Sequence, residues 1–226
     1  MPVIGITGGI STGKTTFCAC LREILPDAKF FDADQVAHQL VDLDSEVRTE
    51  LSREFGQAIF SGEGDLNREK VRAIIFQDAA KKSALEKILH PRIRRQWAAE
   101  AKTHLQSPDF FFAEIPLLYE TNGETLCDRV VVVACSPSIQ LASVLARGMG
   151  FSPSRRLSEP EVQPMSYRHD ADATAEAQRM INSQVPLDVK IRKADYVVWN
   201  NADRGVLAKQ ARALVDLWRG EKWMRA

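Results

Sequence analysis

Residues Gly8-Gly9-Ile10-Ser11-Thr12-Gly13-Lys14-Thr15 match the pattern G-x-x-x-x-G-K-[ST]. They follow a short apolar run, residues 2–7, and open a helical pattern over 14–25 that ends near Pro26. Strand, glycine loop and helix, in that order, is the setting this spacing requires. The glycines let the backbone curl so that successive N–H groups face one anion, and the helix N-terminus adds about half a positive charge there. A polyphosphate fits such a cradle. Gly9, Ile10, Ser11, Thr12, Gly13 and Thr16 are expected to border it, with Lys14 reaching the β- and γ-phosphates as a mobile point charge. The Thr15 hydroxyl is expected to ligate Mg²⁺. ATP and Mg²⁺ are therefore the expected cosubstrate and ion. The alternative is a glycine-rich turn that caps a helix and holds no ligand.

Other nucleotide-binding classes fit less well. A GTP-dependent switch would carry Asn-Lys-x-Asp and a metal-linked Asp-x-x-Gly, and the chain has no Asp-x-x-Gly. Asn200-Asn201-Ala202-Asp203 lacks the lysine. A helicase-like motor needs a basic track for nucleic acid, whereas 30 Lys and Arg here balance 30 Asp and Glu. That zero net charge gives no reason to expect nucleic acid or an anionic membrane as a partner. A kinase for a small molecule remains, with another nucleoside or nucleotide kinase and a non-catalytic nucleotide-binding regulator as competing readings.

Phosphoryl transfer to an alcohol benefits from a carboxylate that orients the hydroxyl and accepts its proton. Asp32-Ala33-Asp34 follows the second predicted strand, which puts both side chains at the carboxyl edge of the sheet, where ligands bind in α/β folds. Asp34 is the candidate for that role. Helix capping is the competing role for either aspartate. Glu114, ending the third predicted strand, is a candidate holder of metal-bound water, with a satisfied, solvent-facing carboxylate as the alternative.

The elements that must position these residues are legible as runs. Lys29-Phe30-Phe31, Phe110-Phe111-Phe112-Ala113, Val130-Val131-Val132-Val133 and Tyr196-Val197-Val198-Trp199 join residues 2–7 as buried strands. Long charged, periodic segments separate them, so an α/β fold is expected, with a mainly parallel five-stranded sheet between two layers of helices. Residues 35–106 read as almost continuous helix, interrupted at Gly62-Glu63-Gly64 and at Pro91. Residues 148–170 read as an irregular loop. Cys18, Cys20, Cys127 and Cys135 form no C-x-x-C pair and sit in apolar stretches, which suits reduced thiols. The opening Met1-Pro2-Val3-Ile4-Gly5-Ile6 has no basic region, and no apolar run has membrane-spanning length, so a cytoplasmic protein is expected.

Taken together the motifs resemble the dephospho-coenzyme A kinase family, which phosphorylates the ribose 3′-hydroxyl of dephospho-coenzyme A. The resemblance is carried by Ile6-Thr7-Gly8-Gly9-Ile10, Asp32-Ala33-Asp34, Leu66-Asn67-Arg68, Leu89-His90-Pro91, Pro116-Leu117-Leu118 with Glu120, Gln140 with Arg147, Gln184, and Ala194-Asp195 with Asn200. It implies one P-loop kinase domain over 1–226: a core of about 1–34, 107–147 and 185–226, a helical substrate-binding insertion over about 35–106, and a lid over about 148–184. It implies that Asp34 is the catalytic carboxylate, that Thr7, Arg68, His90 and Arg94 line the acceptor site, and that Asn200 lies near the adenine of ATP. It also implies a small-molecule partner, dephospho-coenzyme A; a monomer or weak homo-oligomer is expected. Read without the resemblance, His90 is a helix-kink residue beside Pro91, and Arg68 and Arg94 belong to a solvated basic face.

Three positions depart from the family pattern. Ser11 stands where the loop usually has glycine, Asn67 where an aspartate usually precedes the arginine, and Ser143 where a first lid arginine is common. The lid departs most, because Arg147 runs into Gly148-Met149-Gly150 and a second arginine-led turn, Arg168-His169-Asp170, appears only after an insertion at about 148–167. Arg147 is the first candidate for the lid arginine and Arg168 the second. Arg155 and Arg156 are further candidates within the insertion. Neutralising charge on the transferring phosphate in this way is worth about 10³-fold or more in rate.

Overall fold

Val3–Gly8 is buried at all six positions, as a strand covered on both faces must be. The computed structural model describes residues 2–62, 64–104, 109–148 and 167–220. Its elements run β1 (Val3–Gly8), α1 (Lys14–Ile24), β2 (Lys29–Asp32), α2 (Ala33–Leu43), α3 (Ser45–Phe55), α4 (Arg68–Gln77), α5 (Ala79–Thr103), β3 (Phe111–Glu114), β4 (Arg129–Ala134), α6 (Pro137–Gly148), α7 (Tyr167–Asn182), α8 (Leu187–Lys193), β5 (Tyr196–Trp199) and α9 (Arg204–Gly220). The strands lie in the order β2-β3-β1-β4-β5. β1 is parallel to both β3 and β4, and β4 is parallel to β5. The expected α/β fold and all five expected strands are therefore present.

The chain divides into two units, one of residues 1–30 and 107–226 and one of residues 31–106. In the first, Ile4, Ile6, Val131, Val133 and Val198 present alternate side chains to α1 and α9, where Phe17, Leu21, Leu207, Ala211, Val215 and Trp218 complete the core. Phe112 stacks on Phe30 with ring centroids 4.9 Å apart, and Trp218 packs at 5.9 Å from Phe112. This cluster fixes α1 against β1, so the residues between them form a short, rigid connection.

The second unit is helical, with its own core of Val41, Val47, Leu51, Ile59 and Val71. Here the sequence expectation needs correction. Helix breaks occur at Asp44 and Asp78, whose carboxylates accept hydrogen bonds from the two N–H groups that open the next helix. Another break spans residues 56–67 and ends at Asn67, whose side chain caps α4. Pro91 causes no break, because α5 runs through it from Ala79 to Thr103. A second correction concerns residues 167–170, which belong to α7 rather than to an irregular loop. The insertion residues 149–166, including Arg155 and Arg156, lie outside the described residues.

Candidate active site

The phosphate loop is held from several sides within the first unit. Ser11 has φ 58° and Gly13 has φ 98°, both in the left-handed region that glycine adopts without cost. At Gly13 the requirement is doubled, since a Cβ there would lie 2.1 Å from Nδ2 of Asn200. Asn200 donates that amide to the Thr12 carbonyl at 3.1 Å, and Gln140 donates its own to the Ile10 carbonyl at 3.0 Å. Two side-chain amides from distant segments thus fix two alternate peptide units of the loop. Thr12 Oγ1 donates to Gly9 O at 3.0 Å, which tightens the turn from within.

Lys14, the first residue of α1, is buried, and its Nζ donates to Gly9 O at 2.7 Å. The ammonium therefore lies across the loop it belongs to, on a flexible stem that can extend to a phosphate. Thr15 Oγ1 donates to Oε1 of Glu114 at 2.8 Å. Glu114 ends β3, and β3 pairs in register with β1 through Ile6 opposite Glu114, which is why the carboxylate reaches α1. Its other oxygen, Oε2, is buried without a protein hydrogen-bond partner among the described residues. The solvent-facing alternative for Glu114 is thereby corrected: the side chain is buried, 5% exposed. Thr16 is exposed beside Thr15.

Thr7 is fully buried and donates to Pro116 O at 3.1 Å. Asn200 packs against Gly13 at the back of the loop. Arg147 stands exposed in the last turn of α6, and Arg168 falls in the first turn of α7, which packs against α6.

The remaining candidates fall in the helical unit. Asp32 caps α2, its Oδ1 accepting from the N–H groups of Asp34 and Gln35, both at 3.0 Å, while Asp34 is exposed in the first turn. Arg68 opens α4 and pairs with Asp42 at 2.9 Å. It borders a cleft of about 380 Å³ lined by Ala37, His38, Val41, Val71 and Leu89, among others. His90 and Arg94 are one turn apart in α5, both half-buried. Burial holds the His90 imidazole below its usual pKa, opposed by the Glu86 carboxylate, so it is neutral at pH 7.

Gln140, Glu120 and Lys190 were given no individual role from sequence. Gln140 and Glu120 appear there only as part of a family pattern, and Lys190 reads as one more basic residue in Lys190-Ile191-Arg192-Lys193. An amphipathic period could have flagged it, because α8 buries Lys190 while Arg192 and Lys193 stay exposed.

A family model described as dephospho-CoA kinase matches residues 2–205. A dephospho-CoA kinase from Anaeromyxobacter dehalogenans is 34% identical over 219 residues, covering 96% of this chain and 92% of its own length. The enzyme of the same name from Listeria monocytogenes is 31% identical over 215 residues, covering 94% and 95%. Among solved structures, one from Thermus thermophilus superposes with a TM-score of 0.69 at 27% identity, covering 96% of this chain and 97% of that one. A dephospho-CoA kinase from Campylobacter jejuni superposes at 0.64 with 20% identity over 95% of each chain, a likeness of fold. The family match begins at the first strand and runs past Asn200 into the last helix, taking in the loop, its amide clamps and Glu114, and on that extent the chain belongs to the dephospho-CoA kinase family.

Proposed function

We infer that this protein transfers the γ-phosphate of ATP to the ribose 3′-hydroxyl of dephospho-CoA, giving CoA and ADP. The observation that carries the reading is the formed phosphate loop with Lys14 and the Thr15–Glu114 pair at its end, in a chain matched by the family over residues 2–205. Loop N–H groups bind the phosphates, and Lys14 exchanges its bond to Gly9 O for phosphate oxygens. Asp34 orients the acceptor hydroxyl and takes its proton as the new P–O bond forms and the bond to the ADP oxygen breaks. His90, Arg94 and Arg68 supply contacts to the acceptor, an arginine fork being matched to diphosphate oxygens. Arg147 or Arg168 covers the transferring group. Because the transition state is loose, positioning and electrostatics supply most of the acceleration.

The residues present also fit Mg²⁺. The Thr15 hydroxyl and the Glu114 carboxylate are hard oxygen donors, and Glu114 Oε2 has no hydrogen-bond partner among the described residues. No group of three or more His, Cys, Asp or Glu suited to a metal occurs among the described residues. When bound, Mg²⁺ offsets charge on the β- and γ-phosphates.

All four cysteines are free, which supports a reducing compartment, and we place the enzyme in the cytoplasm. No helix among the described residues is long and apolar enough to cross a membrane. The deciding experiment is ADP release with Mg²⁺, ATP and dephospho-CoA, with mass spectrometry of the product. A mass gain of one phosphate that needs both substrates is expected. Acceptor-independent behaviour of a folded, ATP-binding sample would leave another nucleotide kinase or a regulator.

A further inference from the structure

Lys190 is the one lysine or arginine among the described buried residues besides Lys14, and its side chain is 0% exposed. Taking an ammonium out of water is costly, and the cost is offset only where its protons are hydrogen-bonded with good geometry. Here they are. Lys190 Nζ donates to Gly8 O at 3.3 Å and to Pro116 O at 3.0 Å, and it pairs with Glu120 Oε1 at 2.9 Å. Burial lowers the ammonium's pKa and the Glu120 carboxylate opposes that shift.

The acceptors are not scattered. Gly8 ends β1, and its carbonyl belongs to the peptide that turns into the phosphate loop. Its other side is closed, because a Cβ on Gly8 would lie 2.3 Å from Val133 O on β4. Pro116 O follows β3 and also accepts the Thr7 hydroxyl at 3.1 Å. Glu120 Oε1 takes a further bond from the Val185 N–H at 2.9 Å, in the segment between α7 and α8. One buried ammonium therefore joins the entry to the phosphate loop and the turn beyond β3, and through Glu120 it reaches the segment that leads into α8.

We propose that Lys190 is a positioning residue for phosphoryl transfer: by holding the Gly8 and Pro116 carbonyls, it sets the peptide orientation from which the phosphate loop presents its N–H groups to ATP. Only a donor of this length does so. A hydrocarbon would fill the volume and leave two carbonyls without their partner. The inference rests on the kinase reading for its catalytic consequence, but ATP binding tests it without any acceptor.

The test is calorimetric titration of ATP with Mg²⁺ into the wild type, Lys190→Met, Glu120→Gln and the Lys190→Met/Glu120→Gln double variant, each with its thermal midpoint. Lys190→Met alone strands a half-buried carboxylate, so it is expected to lose both stability and ATP affinity, the latter by about 10-fold. The double variant removes the stranded charge and should recover most of the midpoint while ATP affinity stays about 10-fold weak. Glu120→Gln, which keeps both carbonyl bonds, should bind ATP within about 3-fold of wild type. Recovery of affinity together with stability in the double variant would make Lys190 a structural residue and overturn the proposal. So would wild-type affinity in Lys190→Met. Should the methionine variants not fold, the ¹⁵Nζ resonance of Lys190 in the wild type decides: it is expected to move on ATP addition, and an unmoved resonance at saturation overturns the proposal. Because no readout uses dephospho-CoA, failure here and failure of the acceptor assignment are distinguishable.

Discussion

Asp32 and Asp34 stand two residues apart and face different demands. The Asp32 carboxylate is committed to the two N–H groups that open α2, a use worth about 1 kcal/mol to the helix. Asp34, exposed in the first turn, is the member we assign to the substrate hydroxyl. Asp34→Asn is expected to lower kcat by about 10²- to 10⁴-fold, the usual contribution of a general base, with ATP affinity little changed. An unimpaired variant in the ADP-release assay would remove Asp34 from the reaction. Ser11 poses a different question. Its φ of 58° is unfavourable for a residue with a Cβ, and its Oγ is buried without a partner among the described residues. Ser11→Gly relieves both and adds freedom only to the unfolded chain, for a net gain of roughly 1 kcal/mol. Urea denaturation measures it, and a loss of stability would show that the serine side chain is a needed contact. The loop and the strand-end placement of Asp32 and Asp34 were legible, because the glycine spacing and the end of an apolar run show where they fall. Glu114 was half legible, since its position followed from the strand but its burial depended on pairing with β1. Gln140 and Lys190 were not, because their partners lie 130 and 182 residues away.

At the scale of elements, the strands were the easiest to read. Runs such as Val130-Val131-Val132-Val133 have little alternative to a buried parallel strand, and all five appear near the expected positions. The helical unit was read correctly in kind and wrongly in its punctuation. Asp44 and Asp78 look like ordinary charges on a solvated face, and nothing local tells a capping aspartate from an exposed one until the chain turns there. Pro91 misled in the opposite direction, because tertiary packing around α5 overrides the missing backbone donor. That override has a testable cost. Restoring the donor with Pro91→Ala should stabilise the protein by about 1–3 kcal/mol, the interior-proline penalty less the added freedom of the unfolded chain. Since His90 and Arg94 flank that turn, the same change is expected to raise KM for dephospho-CoA while leaving KM for ATP nearly unchanged. Steady-state kinetics with each substrate varied separately would check the split, and an equal rise in both constants would count against an acceptor role for this turn.

For the whole molecule, 30 basic and 30 acidic residues cancel, so self-repulsion contributes little near neutrality and individual buried groups set the pH dependence. Burial, reinforced by the Asp128 and Glu124 carboxylates, pushes the Cys127 thiol up to about 12 from 9.0, and burial with the Asp195 charge pushes the Tyr119 phenol to about 12 from 10.0. In both cases the folded pKa is the higher one. The folded state therefore keeps protons that the unfolded chain releases, and the stability they provide is complete below pH 9 and is lost as pH rises toward 12. Lys190 runs the other way, because its folded pKa is lowered: the unfolded chain holds that proton more tightly, so raising the pH up to 10.5 favours the folded state through this group. The two directions are separated by removing the thiol. From pH 8 to 10.5 the Cys127 contribution amounts to about 2 kcal/mol at most, from about 1.4 kcal/mol per pKa unit. Cys127→Ala is expected to flatten the fall of unfolding free energy over that interval by an amount approaching this figure, whatever its effect at pH 8. Denaturant titrations of both proteins at the two pH values give the slope directly, and parallel slopes would mean that the thiol is not held protonated by the fold.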